Sequence, residues 1–317
     1  MSAQPTEILS PADEAKLLKE AFNIEIDKLE HYMELLSQWL SSQKHLPQNC
    51  SKNFLRKFLI WSKLDFEKAK TKFETFWYSR LSCKEFFFDR VITSDKDLKC
   101  LKYTYGVMMP KLTPNGCRVN IVTIFDPKPY DILEFCRTTM MSFDYKFHVD
   151  GVVAGEIAVC DCDKIQPQHY PKLFNASSLK FVKLGATNFP VRIKHIFIVN
   201  CHPTIRIGFN IIKSLVPEKI SSRSLVPEKI SSRLVILENP RELLTYIPPE
   251  CLPSNYGGTA ESLEVIVGVF VRHFRENEKF YVDIGNMRPT GPLPEKYKMN
   301  YANEFGLDGS FRKLNID

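Results

Sequence analysis

Three short runs of almost unbroken apolar residues limit what this chain can fold into: Val119–Phe125, Glu156–Asp161 and His195–Asn200. A strand that meets water on one face alternates apolar with polar residues, whereas a strand buried on both faces reads as continuously apolar. Helix-compatible segments, Ile132 to Phe143 and Pro167 to Leu184, lie between the runs. That succession predicts a largely parallel sheet with helices packed against it. Leu234–Leu237 reads as a last strand, and Arg241 to Tyr246 as a short helix stopped by Pro248 and Pro249.

Ahead of this α/β pattern, residues 11 to 80 read as helices. Ile26, Leu29, Met33, Leu36 and Leu40 recur at steps of three and four, as do Phe66, Ala69, Phe73, Phe76 and Trp77, so each set lines one helix face. Such stripes are core signals first. Asn53 to Lys70 reads as a helical hairpin in which Asp65 caps the second helix. Ser262 to Glu278 is a further helix, and Gly285 to Asp317, rich in Gly, Pro, Asn and Lys, reads as an extended or partly disordered tail. The expected units are 1–94, helical; 95–261, α/β; and 262–317, a C-terminal helix with its tail.

The composition narrows the function. A length of 317 residues with 44% apolar and 25% charged residues is ample for a buried core. A net charge of +6 suits an anionic partner without demanding one. Nine cysteines at irregular spacing, behind a polar opening with no apolar core segment, suggest free thiols in a reducing, cytoplasmic compartment. No run reaches the ~20 apolar residues that span a bilayer, so the expected membrane contact is peripheral; the longest candidates are Val265–Val271 and Phe86–Phe88. Cys160, Cys162 and His169 lack the second paired-cysteine motif of a structural metal site. Cys201 and His202 are sequence neighbours, a poor geometry for a nucleophile and its base. No nucleophile elbow, Walker loop, dinucleotide fingerprint or interleaving of basic and aromatic residues occurs. The chain therefore reads as a monomer that is not an enzyme and uses no metal, cofactor or nucleic acid.

Ser214–Arg223 is followed by an identical copy, Ser224–Arg233. A ten-residue period repeated twice is too short for a solenoid. It reads as an error in the deduced sequence in preference to a recent duplication.

Four segments resemble one family. Asn53–Lys70 is similar to the N-terminal helical part of the CRAL-TRIO lipid-binding family, and Asn188–Asn200 to its central strand and approach. Glu218–Arg223, or its copy, is similar to the segment after the family's gate helix, and Leu243 to Gly258 to its closing motif. The resemblance spans about residues 50 to 260. Two positions depart from it: Asn200 is followed by Cys201-His202-Pro203 where an earlier proline is usual, and only Lys63 lies near a hinge that often carries arginine.

The resemblance implies an apolar pocket between the sheet and a mobile gate helix over about Pro203 to Val216. The residues themselves leave the gate's structure open. Ile205, Ile207, Phe209 and Ile211 alternate as in a strand, while Ile205, Phe209, Ile212 and Leu215 repeat as in a helix. Phe181 and Val159 are expected to line the pocket with them. The resemblance also implies a basic cluster for phosphoinositide head groups, drawn from Arg192, Lys194, Lys213, Lys219 and Arg223, with Lys229 and Arg233 equivalent in the second copy. The function implied is transfer of one hydrophobic molecule, such as a retinoid, a tocopherol or a phospholipid, to membranes bearing phosphatidylinositol bisphosphate. The alternative is a lipid-sensing module that binds a protein partner without ferrying lipid.

Overall fold

Five strands lie side by side in chain order: β1 (Thr104–Leu112), β2 (Cys117–Ile124), β3 (Gly155–Asp161), β4 (Ile193–Val199) and β5 (Leu234–Ile236). β1 and β2 form an antiparallel hairpin, and every later pairing is parallel. The computed structural model describes residues 5–89, 92, 98–173, 175–204, 233–291 and 294. The hairpin turns at Gly116, whose φ of +70° favours glycine, and the Thr113 hydroxyl accepts from the Cys117 amide at 3.0 Å.

Parity along the strands decides what each face meets. On one face Val119, Ile121, Ile157, Val159, Phe197 and Val199 are all 5% exposed or less. They share a core with Leu243 and Cys251, which lie on short 3-10 turns, and with Ile247 and Leu252 just beyond those turns. α9 (Leu263–Glu276) closes that core with Leu263, Ile266, Phe270 and Phe274. Over the other face lies α6 (Ile132–His148), capped by Asp131, whose carboxylate accepts from the Leu133 amide at 2.8 Å. Phe135 and Thr139 of α6 close over Gly106 of β1.

A helical layer precedes the sheet: α1 (Pro11–Phe22), α2 (Ile26–Ser42), α3 (Lys52–Trp61), α4 (Phe66–Ser82) and the single turn α5 (Lys84–Phe87). Ser10, Ser51 and Asp65 each accept a first-turn amide at 3.0–3.2 Å, which starts α1, α3 and α4. Phe54, fully buried, has Phe58, Phe73, Phe76 and Trp77 within 5.0–5.7 Å, centroid to centroid. The layer is bonded to the α/β part. Arg80 donates to Asp144 at 3.2 Å and to the Ile284 carbonyl at 2.8 Å, and Lys57 donates to the Gly151 carbonyl at 2.7 Å.

Several expectations change in detail. β1 carries no clean apolar run in the sequence and emerges as the antiparallel edge strand. Pro167 to Leu184 is not one helix. It divides into a 3-10 turn (Pro167–His169), α7 (Tyr170–Leu173) and α8 (Ala176–Asn188), because the Asn175 side chain caps a new start by accepting from the Ser178 amide at 3.1 Å. The C-terminal helix ends at Glu276, and α10 (Glu278–Asn286) carries helix past Gly285, where an extended tail was expected.

Candidate functional site

The face beneath α6 is apolar but incompletely covered. Val122, Ala158, Cys160, Ile196, Leu234 and Ile236 are half-buried, while Ile121, Ile157, Val159 and Phe197 beside them are closed off on the other face. These six, with the buried Ile198, form a floor across β2 to β5. Burial pushes the Cys160 thiol up to about 11, with the neighbouring Asp161 carboxylate adding to it.

Polar groups stand at the start of the floor. Lys146, on α6, donates to Glu156 and to the Asn120 side-chain carbonyl, both at 2.9 Å, and the Asn120 amide donates to Glu156 at 2.7 Å. Lys146 and Glu156 are both nearly dry, so this closed set of charge-assisted bonds is what makes their burial tolerable. A crevice of about 30 Å³, enough for one water, opens beside them and is also lined by Lys57, Trp61 and Arg192. Burial lowers the Lys57 ammonium to about 8, against the pull of Asp150 and Glu156. The sequence signals this set only weakly, as a lone Glu and a lone Asn in apolar strands.

At the opposite end of the floor the strands are clamped. Asp161 accepts from the Tyr256 hydroxyl at 2.8 Å through one carboxylate oxygen and from the Asn200 side-chain amide at 2.9 Å through the other. Asn200 takes φ +55°, a left-handed turn that asparagine tolerates, and ends β4 ahead of Pro203.

The expected site residues divide. Val159 is fully buried in the core on the far face, since strand alternation turns Ala158 and Cys160 toward the floor. Phe181, on α8, packs edge-on between Phe86 of α5 and Phe135 of α6 at 5.9 and 6.0 Å. Arg192, Lys194 and Arg233 gather at the start of β4. The Arg192 guanidinium lies 4.9 Å from the Phe22 ring centroid, and its carbonyl accepts from the Glu156 amide at 2.8 Å. Lys194 lies over Gly155, and Arg233 donates to the Ile193 carbonyl. Ile205, Ile207, Phe209, Ile211, Ile212 and Leu215 of the expected gate lie outside the described residues, as do Lys213, Lys219, Arg223 and Lys229.

Burial also raises the Cys162 thiol well above the ordinary range, with further contributions from Cys160, Cys201 and Asp161. That works against a thiolate nucleophile at this end of the sheet. Among the described residues no cluster of three or more His, Cys, Asp or Glu could hold a metal ion, and no helix is long and apolar enough to cross a membrane.

Comparison with known proteins decides the family. The model of the CRAL/TRIO domain matches residues 102–258, which takes in the whole sheet, the clamp and the closing turns. This chain belongs to the CRAL-TRIO family. A second model, a Pinta-like UBA domain, matches residues 25–96 of the helical layer. Proteins described as alpha-tocopherol transfer protein-like, from Mus musculus and Homo sapiens, are 27% and 26% identical over 215 residues, or 67% of this chain. The match spans 59% of those relatives' own length. A solved structure titled Crystal structure of Sfh5 superposes with a TM-score of 0.45 at 10% identity, over 80% of this chain and 99% of that one, too distant to bear on the CRAL-TRIO site.

Proposed function

We propose that this CRAL-TRIO chain binds one hydrophobic molecule against the floor of Val122, Ala158, Cys160, Ile196 and Ile198 and transfers it between membranes. The observation that carries the reading is the asymmetry of the sheet. On one face Val119, Ile121, Ile157, Val159, Phe197 and Val199 are buried, whereas on the other the apolar Val122, Ala158, Cys160, Ile196, Leu234 and Ile236 are only half-buried among the described residues. An apolar ligand removed from water gains about 0.8 kcal/mol per methylene, offset by ordering costs. The polar set of Asn120, Lys146 and Glu156 at one end suits a ligand with a polar head and an oily body, as retinoids, tocopherols and phospholipids have.

The test is mass analysis of lipid extracted from the purified protein, followed by liposome exchange. Cys160→Trp and Ile196→Trp fill the floor and are expected to lower the bound lipid while circular dichroism stays unchanged. A protein that neither retains nor exchanges any retinoid, tocopherol or phospholipid removes the reading.

The membrane is read as one bearing phosphatidylinositol bisphosphate, met by Arg192, Lys194 and Arg233 together with Lys213, Lys219, Arg223 and Lys229. Each basic group near an anionic surface adds about 1 kcal/mol. Arg192→Ala and Lys194→Ala are therefore each expected to weaken binding to such vesicles by about fivefold. Exchange rates indifferent to the phosphoinositide in the parent protein remove this part alone.

A further inference from the structure

On the sealed side of the molecule, away from the floor, lies a groove of about 360 Å³ that the lipid reading does not use. One wall is the N-terminal segment, held on the edge of the sheet where the Glu7 amide donates to the Pro110 carbonyl at 3.0 Å. The opposite wall is the outer surface of α9. Its inward residues fill the core, yet its outward positions Val265 and Val269 are apolar too, and Val265 is 50% exposed. This explains why Val265–Val271 reads as continuously apolar although the helix has only one buried face. Between the two valines, Gly268 has open space where a Cβ would stand. A glycine on an exposed helix face costs about 1 kcal/mol relative to alanine and lets another backbone approach closely.

Among the described residues lining the groove, three exposed carboxylates, Glu7, Glu250 and Glu261, stand against one cation, Lys111. This local acidity runs against the chain's overall charge of +6. An anionic membrane is repelled by such a rim, while a cationic peptide is drawn to it. We propose that the groove docks an extended segment of a partner protein carrying Lys or Arg on either side of an apolar side chain. The apolar residue seats against Val265 and Val269, and its basic neighbours meet Glu250 and Glu261. The groove opens on the opposite side of the sheet from the floor, so partner and cargo are held at once.

The test is selection of a phage-displayed library of random dodecapeptides on the full chain, with the winners synthesised and titrated by fluorescence anisotropy. The expected peptides pair apolar with basic residues and bind more weakly as salt rises. Val265→Asp and the pair Glu250→Lys, Glu261→Lys are each expected to weaken them by about tenfold. Val182→Asp, an exposed apolar position on α8, is expected to leave them unchanged. Circular dichroism and thermal melting of every variant establish that it is folded. The proposal falls if no such peptides emerge, or if those that emerge ignore the groove substitutions. It falls equally if Val265→Asp instead abolishes self-association in sedimentation, which would make the occupant a second copy. Lipid extraction is read separately, so failure here leaves the cargo reading untouched, and the reverse.

Discussion

Arg118→Met is expected to be among the most damaging single changes in this protein. Arg118, on β2, is 1% exposed and pairs with Asp150, which is fully buried, at 2.8 Å. The guanidinium also donates to the Met109 carbonyl at 3.0 Å and the Pro110 carbonyl at 2.5 Å. Asp150 in turn accepts from the Thr6 hydroxyl at 2.9 Å, so the same carboxylate tethers the N-terminal segment that walls the groove. Methionine matches the volume but leaves a buried carboxylate without its counter-charge. Removing one partner of a buried pair costs about 3–5 kcal/mol, whereas replacing both is close to neutral. Urea unfolding, followed by tryptophan fluorescence, should show the single change lowering the midpoint by the equivalent of about 3 kcal/mol or more. The double change Arg118→Met, Asp150→Asn should recover at least half of that loss. A single-mutant cost under about 1 kcal/mol, or a double mutant whose cost equals the sum of the singles, refutes the argument.

Three further outcomes are expected. Phe54→Ala should cost about 3–5 kcal/mol and still give one unfolding transition. The Phe54 ring stacks on His148 of α6 at 4.5 Å, which ties the helical layer to the α/β part; two separated transitions in calorimetry would contradict that tie. Burial lowers the His148 imidazole to about 4, so the unfolded chain takes up that proton first as pH falls. The stability this residue contributes is complete above the ordinary histidine range and declines between about pH 6.5 and 4, by roughly 3 kcal/mol in total. Urea midpoints of the parent should therefore fall more steeply across that window than those of His148→Gln, and parallel slopes would count against it. A thiol raised to about 11 carries roughly 100-fold less thiolate at pH 8 than an unperturbed cysteine, so Cys160 should alkylate slowly and more slowly still with lipid bound. Peptide-resolved labelling that is fast, or blind to lipid loading, would place Cys160 away from the cargo.

Much of the fold is legible in the chain because burial leaves a strong imprint. β2, β3 and β4 are largely buried on one face and apolar but half-buried on the other, so their apolar runs are almost unbroken. The stripes at Leu29, Leu36 and Leu40 and at Phe73, Phe76 and Trp77 are likewise consequences of one dry helix face. β1 escapes because an edge strand tolerates Gly106 and Pro110, residues that argue against a central one. The break before α8 escapes because a single asparagine outweighs a continuing apolar pattern. Val159 illustrates a different limit. An apolar run contains no information about which parity faces which layer, and one step along β3 separates the half-buried Ala158 and Cys160 from the fully buried Val159. The polar set of Lys146, Glu156 and Asn120 joins three elements distant in sequence, and no local spacing announces it.

The two-armed grip of Asp161 bears on how this protein tolerates change in the stretch that carries the tandem copy. By holding Asn200 from β4 and Tyr256 from the closing turns, it fastens the point where the chain departs to the part of the framework to which it later comes home. Arg233, bonded to β4 through its amide carbonyl and its side chain, fixes the point of re-entry. Asn200 and Arg233 are thus each held by bonds of their own, and a variant lacking one ten-residue copy is expected to keep both sets.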